Sequence, residues 1–78
     1  MKKSIYVTGP DGMVGWVAGW SYEQSDRTRV DDVRLSLDHR KAITFFNEVQ
    51  NDVEALMAIA LFIRHHSVVY GECHYFAW

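Results

Sequence analysis

Ile5-Tyr6-Val7-Thr8 and the stretch from Met13 to Trp20 are rich in β-branched and aromatic residues, and Gly9-Pro10-Asp11-Gly12 between them is a turn signal. The chain therefore opens with a predicted β-hairpin. Proline holds φ at about -65°, which conflicts with the positive φ that a two-residue hairpin loop needs at its first position. A type I turn remains, with Gly12 in the left-handed conformation as a bulge. It sets Gly9 opposite Met13 and pairs Val7 with Gly15, Ile5 with Val17, Thr8 with Val14 and Tyr6 with Trp16. One face is then small and aliphatic, and the other, extended by Ala18 and Trp20, is aromatic. A sheet with one solvated face alternates apolar with polar residues. Here both faces are apolar, so each calls for a cover, and the pattern alone leaves open which face is the core.

Tyr22 to Asp32 is polar and lacks regular periodicity, as expected of a surface loop. Val33, Leu35 and Leu37 alternate with Arg34 and Ser36, the pattern of a half-buried third strand. Asp38 to Lys41 fits a turn or one helical turn, and Ala42 to Phe46 fits strand or helix equally. Asn51 followed by Glu54 matches a capping box, which predicts a helix from about Asp52 to His65. Val53, Leu56, Met57, Ala60, Leu61 and Arg64 form one stripe of that helix, and Ala55, Ile59, Phe62 and Ile63 fill much of the rest, so from Ala55 onward it is apolar nearly all round. Val68-Val69-Tyr70 and then Gly71 to Trp78 read as a closing strand. The predicted fold is a single small α+β domain over residues 1–78, of order β-β-β-α-β, with a mostly antiparallel sheet and one main helix.

Composition narrows the function classes. With 78 residues, 49% apolar and 23% charged, the chain is too apolar for disorder and too short for a second domain. Eight basic residues against ten acidic ones give a net charge of -2, so the positive field that drives nucleic-acid binding is missing. Cys73 is the single cysteine, which excludes an intramolecular disulfide and leaves the core, a metal or a partner to stabilise so small a domain. A reducing compartment follows. Lys2-Lys3 resembles the charged start of a signal peptide, yet Thr8 to Gly12 interrupts any apolar segment behind it. The longest apolar run, Ala55 to Ile63, falls well short of the ~20 residues of a membrane helix. These features lead us to expect a soluble, cytoplasmic protein with no membrane partner.

Candidate chemistry is sparse. His65, His66, Glu72, Cys73 and His74 include zinc-ligand types, but adjacent strand residues point to opposite faces and no second spaced pair exists. The sequence leaves open a metal held by Cys73 with one of these histidines, and we assign none. Cys73 with a histidine would suit nucleophilic catalysis, yet no oxyanion turn or third member accompanies it. Asp31 and Asp32 lie beside Arg29 and Arg34 as a self-compensating charge run. Gly9 to Gly12 lacks the spacing of a phosphate-binding loop and precedes a strand. Gly15 and Gly19 mark close backbone or helix approach. Tyr6, Trp16 and Trp20 on one sheet face could stack on bases, but basic residues cluster only as Lys2-Lys3, Arg27-Arg29 and Arg40-Lys41, and the last two are interleaved with Asp26, Asp31, Asp32 and Asp38. No catalytic residue, metal or cofactor is therefore expected.

The hairpin, then Leu35-Ser-Leu37-Asp38-x-x-Lys41-Ala42-x-x-Phe45, then an amphipathic helix holding Glu54-Ala55, then a closing strand, resembles small proteins encoded by phages and other mobile elements, anti-CRISPR proteins among them. The resemblance implies a stoichiometric inhibitor that acts in the host cytoplasm, binds a host protein or protein complex and needs no active site. Surplus apolar surface also suggests a homodimer. The expected interface comprises Trp16, Trp20 and Tyr22, with Trp20 favoured over Trp16 because it adjoins the polar loop, and Arg27 and Arg29 on that loop. The runner-up is a homodimeric nucleic-acid-associated regulator.

Overall fold

The computed structural model describes residues 2–10 and 12–77. Among these residues five strands and one α-helix follow in the order β1 (Lys2–Thr8), β2 (Gly15–Tyr22), β3 (Val30–Ser36), β4 (Phe45–Phe46), α1 (Gln50–His65) and β5 (Glu72–Ala77), with a 3-10 turn, His39–Lys41, before β4. All strand pairs are antiparallel. The α+β class and the strand–helix–strand ending match the sequence expectation, and the two-residue β4 resolves the ambiguous Ala42 to Phe46 stretch.

The hairpin pairs Tyr6 with Trp16 and Val7 with Gly15, the predicted register. Gly12 has the expected positive φ, +80°, but Met13 N–H donates to Pro10 O at 3.1 Å, one residue later than drawn. Asp11, on which the turn type depends, lies outside the described residues, as does Trp78 of the predicted closing strand. The expected pairing of Ile5 with Val17 is not made. Beyond Trp16, β2 leaves β1, and the vacated edge is filled by the chain before and through β4: Ile43 N–H donates to Val17 O at 3.0 Å, Ser4 Oγ donates to Ile43 O at 3.0 Å, and Lys3 pairs with Phe45. Ser4 is buried, and that bond satisfies its hydroxyl. Lys3 also pairs with Ala77, and Tyr6 with His74, so β5 runs along the opposite edge of β1.

A bulge explains why β2 turns away. Val17 faces Leu35 but Gly19 faces Arg34, so Ala18 is an extra residue. One inserted residue reverses which side every later side chain takes. Trp20, expected beside Tyr6 and Trp16, therefore joins the side of Val17 and Val33 and packs against Phe45 with ring centroids 5.6 Å apart. Gly15 and Gly19 are indeed places of close approach. A Cβ on Gly15 would sit 2.8 Å from Ser36 O, and one on Gly19 would collide with the Arg34 guanidinium.

The core is one layer. Ile5, Val7, Val17, Val30, Val33 and Phe45 on the sheet meet Ala55, Ile59, Phe62 and Ile63 of α1, which packs on β3, β4 and β5. The extents of 34 × 33 × 17 Å fit two layers and no third, since each further layer adds roughly 10 Å. Among the described residues α1 covers the aliphatic face, which decides which side is the core and puts the aromatic side away from the helix.

Three boundaries differ from expectation. β3 starts at Val30, so Asp31 and Asp32 are strand residues and the loop is shorter than predicted. The helix starts at Gln50 with Val49 as its cap and no side-chain cap bond, so Asn51 is not a cap. Glu54 instead accepts from Gln50 Nε2 at 3.2 Å, and Asp52 reaches back to accept from Phe46 N–H at 3.0 Å, tying the first turn to β4. Val68 to Tyr70 is turn, not strand: Val69, Tyr70 and Gly71 N–H groups donate to His66 O, His66 O and Ser67 O. Gly71, at φ +87°, reverses the chain into β5, and a Cβ there would strike the backbone at Thr8 and Gly9.

Candidate functional site

Directly opposed strand residues share a sheet face. The pairs Tyr6–Trp16, Tyr6–His74, Ser4–Phe76 and Trp16–Ser36 therefore lie on the side away from α1. Side chains from four separate segments meet there. Tyr6 and Trp16 sit edge to face at 5.0 Å, Trp16 and Phe76 at 5.3 Å, and Trp16 and His39 edge to face at 4.9 Å. Edge-to-face packing satisfies the ring quadrupoles and holds each ring in one orientation. The Asp38 carboxylate accepts from Arg40 N–H at 3.0 Å and from Arg40 Nε at 3.2 Å, which fixes the 3-10 turn carrying His39 and holds the Asp38 carboxyl below its usual range. Phe76 is 44% exposed. The result is a preorganised aromatic platform rimmed by polar groups, among them His74, whose ring nitrogen lies 3.1 Å from Thr8 Oγ1.

The five residues expected to form one interface are divided by the fold. Both tryptophans are half-buried, Trp16 at the centre of the platform and Trp20 on the core side. Tyr22 and Arg27 line a shallow cleft of about 640 Å³ beside α1, together with Met57, Leu61, Arg64 and Tyr75. Arg29 borders a smaller one of about 130 Å³. The loop between β2 and β3 is internally braced. The Asp26 carboxylate accepts from Thr28 Oγ1 and from Thr28 N–H at 3.0 Å, bonds that keep its pKa below the usual value, and Glu23 N–H donates to Arg29 O at 2.8 Å. Sequence reasoning missed Phe76 and His39 as platform members, because placing them requires the register of β5 and the position of the 3-10 turn.

Cys73 and His74 point to opposite faces, as strand alternation requires. Cys73 packs against the core, opposite Val7, while His74 lies opposite Tyr6. His66 is elsewhere, its ring stacked on Phe62 at 4.2 Å and its Nδ1 2.9 Å from Phe62 O. Among the described residues no group of three His, Cys, Asp or Glu side chains is placed to hold a metal ion. Among them, too, no helix is long and apolar enough to cross a membrane.

Burial pushes the Cys73 thiol up to about 11, opposed only in part by a hydrogen bond with Tyr75. The thiolate is the nucleophile, so this group is poorly suited to attack. At about pH 8 native Cys73 should react with iodoacetamide roughly a hundredfold more slowly than an ordinary thiol, and at the ordinary rate in denaturant. Native-state labelling as fast as that of the unfolded chain would contradict this placement. The unfolded thiol ionises near the usual ~8.5, before the folded one, so the stability that the neutral thiol contributes is complete below that pH and is lost as pH rises toward 11.

Comparisons of the chain with protein-family models, with curated proteins and with solved structures found no match.

Proposed function

We propose that the chain is a non-enzymatic, protein-binding inhibitor that docks the open aromatic face of its sheet on a partner protein. The observation that carries this reading is the aromatic platform of Tyr6, Trp16, His39 and Phe76, built on the central β1–β2 pair on the sheet face away from α1, with Phe76 and His39 exposed. Exposed apolar surface of this kind marks interfaces, and Trp and Tyr dominate the residues whose truncation costs most binding. Their few rotatable bonds keep the ordering cost of association small. In keeping with the resemblance to phage-encoded anti-CRISPR proteins, the target is a host defence complex, blocked by contact alone.

The test begins with the tagged full chain as bait in host extract. Any captured complex is then assayed for its own activity with purified wild-type protein and with folded Trp16→Ala and Phe76→Ala variants. Inhibition by the wild type and its loss in both variants supports the reading. Equal inhibition by all three overturns it. One feature favours the alternative of a nucleic-acid-associated regulator: aromatic rings on an open antiparallel sheet face, with His74 beside them and Arg34 lying across Gly19, can stack bases. Phosphate contacts would make affinity fall steeply with salt, whereas an aromatic protein contact would be nearly insensitive to it.

A further inference from the structure

We propose that the outward face of α1 is a self-complementary interface through which two copies of this chain form an antiparallel, two-fold symmetric dimer. Glu54, Met57, Leu61 and Arg64 recur at i, i+3, i+7 and i+10, which places them on one stripe of the helix. That stripe lies opposite the buried one formed by Ala55, Ile59, Phe62 and Ile63, and all four of its residues are exposed, Met57 at 64% and Leu61 at 48%. Its chemistry reads acid, apolar, apolar, base. A two-fold axis crossing α1 level with Ile59 sets Met57 against the partner's Leu61 and Glu54 against the partner's Arg64, each twice by symmetry.

This charge order selects both the occupant and its direction. A parallel copy would set Glu54 against the partner's Glu54 and Arg64 against the partner's Arg64, two like-charge contacts at the ends of the stripe. A partner of purely apolar surface would leave both charges without a counterpart. An antiparallel second copy satisfies both, and the Gln50 amide, donating to Glu54 at 3.2 Å, braces the acid on this face. Tyr22 and Tyr75, 37% and 45% exposed, border the adjoining cleft and widen the contact. The platform of Tyr6, Trp16 and Phe76 is on the far side of the molecule, so the dimer leaves it free.

Sedimentation equilibrium of the full chain at high micromolar concentration should show a dimer. Met57→Glu with Leu61→Glu should convert it to a monomer with unchanged circular dichroism. Glu54→Arg alone, or Arg64→Glu alone, should weaken dimerisation by about tenfold or more, and the double exchange of both should restore it, because the opposed charges are again unlike. A wild-type monomer throughout, a dimer indifferent to the Met57 and Leu61 changes, or a double exchange no better than the single ones would overturn the proposal.

Discussion

Ile59→Ala should lower the stability of this domain by about 2 to 5 kcal/mol, and Leu61→Ala, two residues away on the same helix, by no more than roughly 0.5 kcal/mol. Ile59 has no exposed surface and sits among Val and Ile side chains of the sheet, so truncation loses the transfer free energy of three carbons and leaves a cavity. Leu61 is on the outward stripe, where truncation leaves no hole. A 78-residue domain has only about 4 to 12 kcal/mol in total, and its single layer of buried apolar side chains offers little redundancy. The Ile59 variant should therefore melt at least about 10 °C below the wild type and be partly unfolded at body temperature. Urea titrations at low micromolar concentration, where dimer formation does not add to stability, measure the difference. Equal losses in the two variants would mean that α1 is rotated from the orientation described.

That helix also shows where the sequence was legible. Periodicity showed a helix with apolar residues on every side, and it is one, but the choice of buried stripe depends on the sheet. Small, β-branched Val7, Val17 and Val33 accept Ala55, Ile59 and Ile63, and Met57 and Leu61 are left outside. The hairpin register agrees with the one that Pro10 and Gly12 suggest, although the Met13 N–H bond to Pro10 O falls one residue later than that turn requires. The bulge at Ala18 was not, since Ala18-Gly19 differs little from its neighbours in strand preference and the cause lies in β3 and in the chain around Ile43. Asn51 and Glu54 have the chemistry of a capping box, yet tertiary contacts from Phe46 to Asp52 move the helix start upstream of it. Val68 and Val69 favour strands, but the chain cannot enter β5 before Gly71 supplies the positive φ for its reversal, and the preceding residues are held as turn.

The candidate site is legible in kind and only partly in place: strand alternation puts Tyr6, Trp16 and Trp20 on one aromatic face, and the structure keeps Tyr6 and Trp16 there but not Trp20. The bulge separates the two tryptophans, which gives them opposite expected phenotypes. Trp20 packs on Phe45, itself 2% exposed, and closes the core beside Val33, so Trp20→Ala should cost about 3 kcal/mol of folding stability. Trp16 stands with Tyr6, His39 and Phe76 on the face away from α1, where its removal forfeits ring contacts of about 0.5 to 1.5 kcal/mol each. Because those rings lie outside the core between the sheet and α1, the Trp16 variant should remain folded while losing about 2 kcal/mol or more of partner binding. Thermal melts of both variants, beside titrations against the captured partner, distinguish the roles. Unfolding of Trp16→Ala with Trp20→Ala unaffected would place the core on the aromatic face and reverse the assignment of both surfaces. If both variants instead fold as described and Trp16→Ala binds as tightly as the wild type, the partner surface must be sought on the β2–β3 loop, at Arg27 and Arg29.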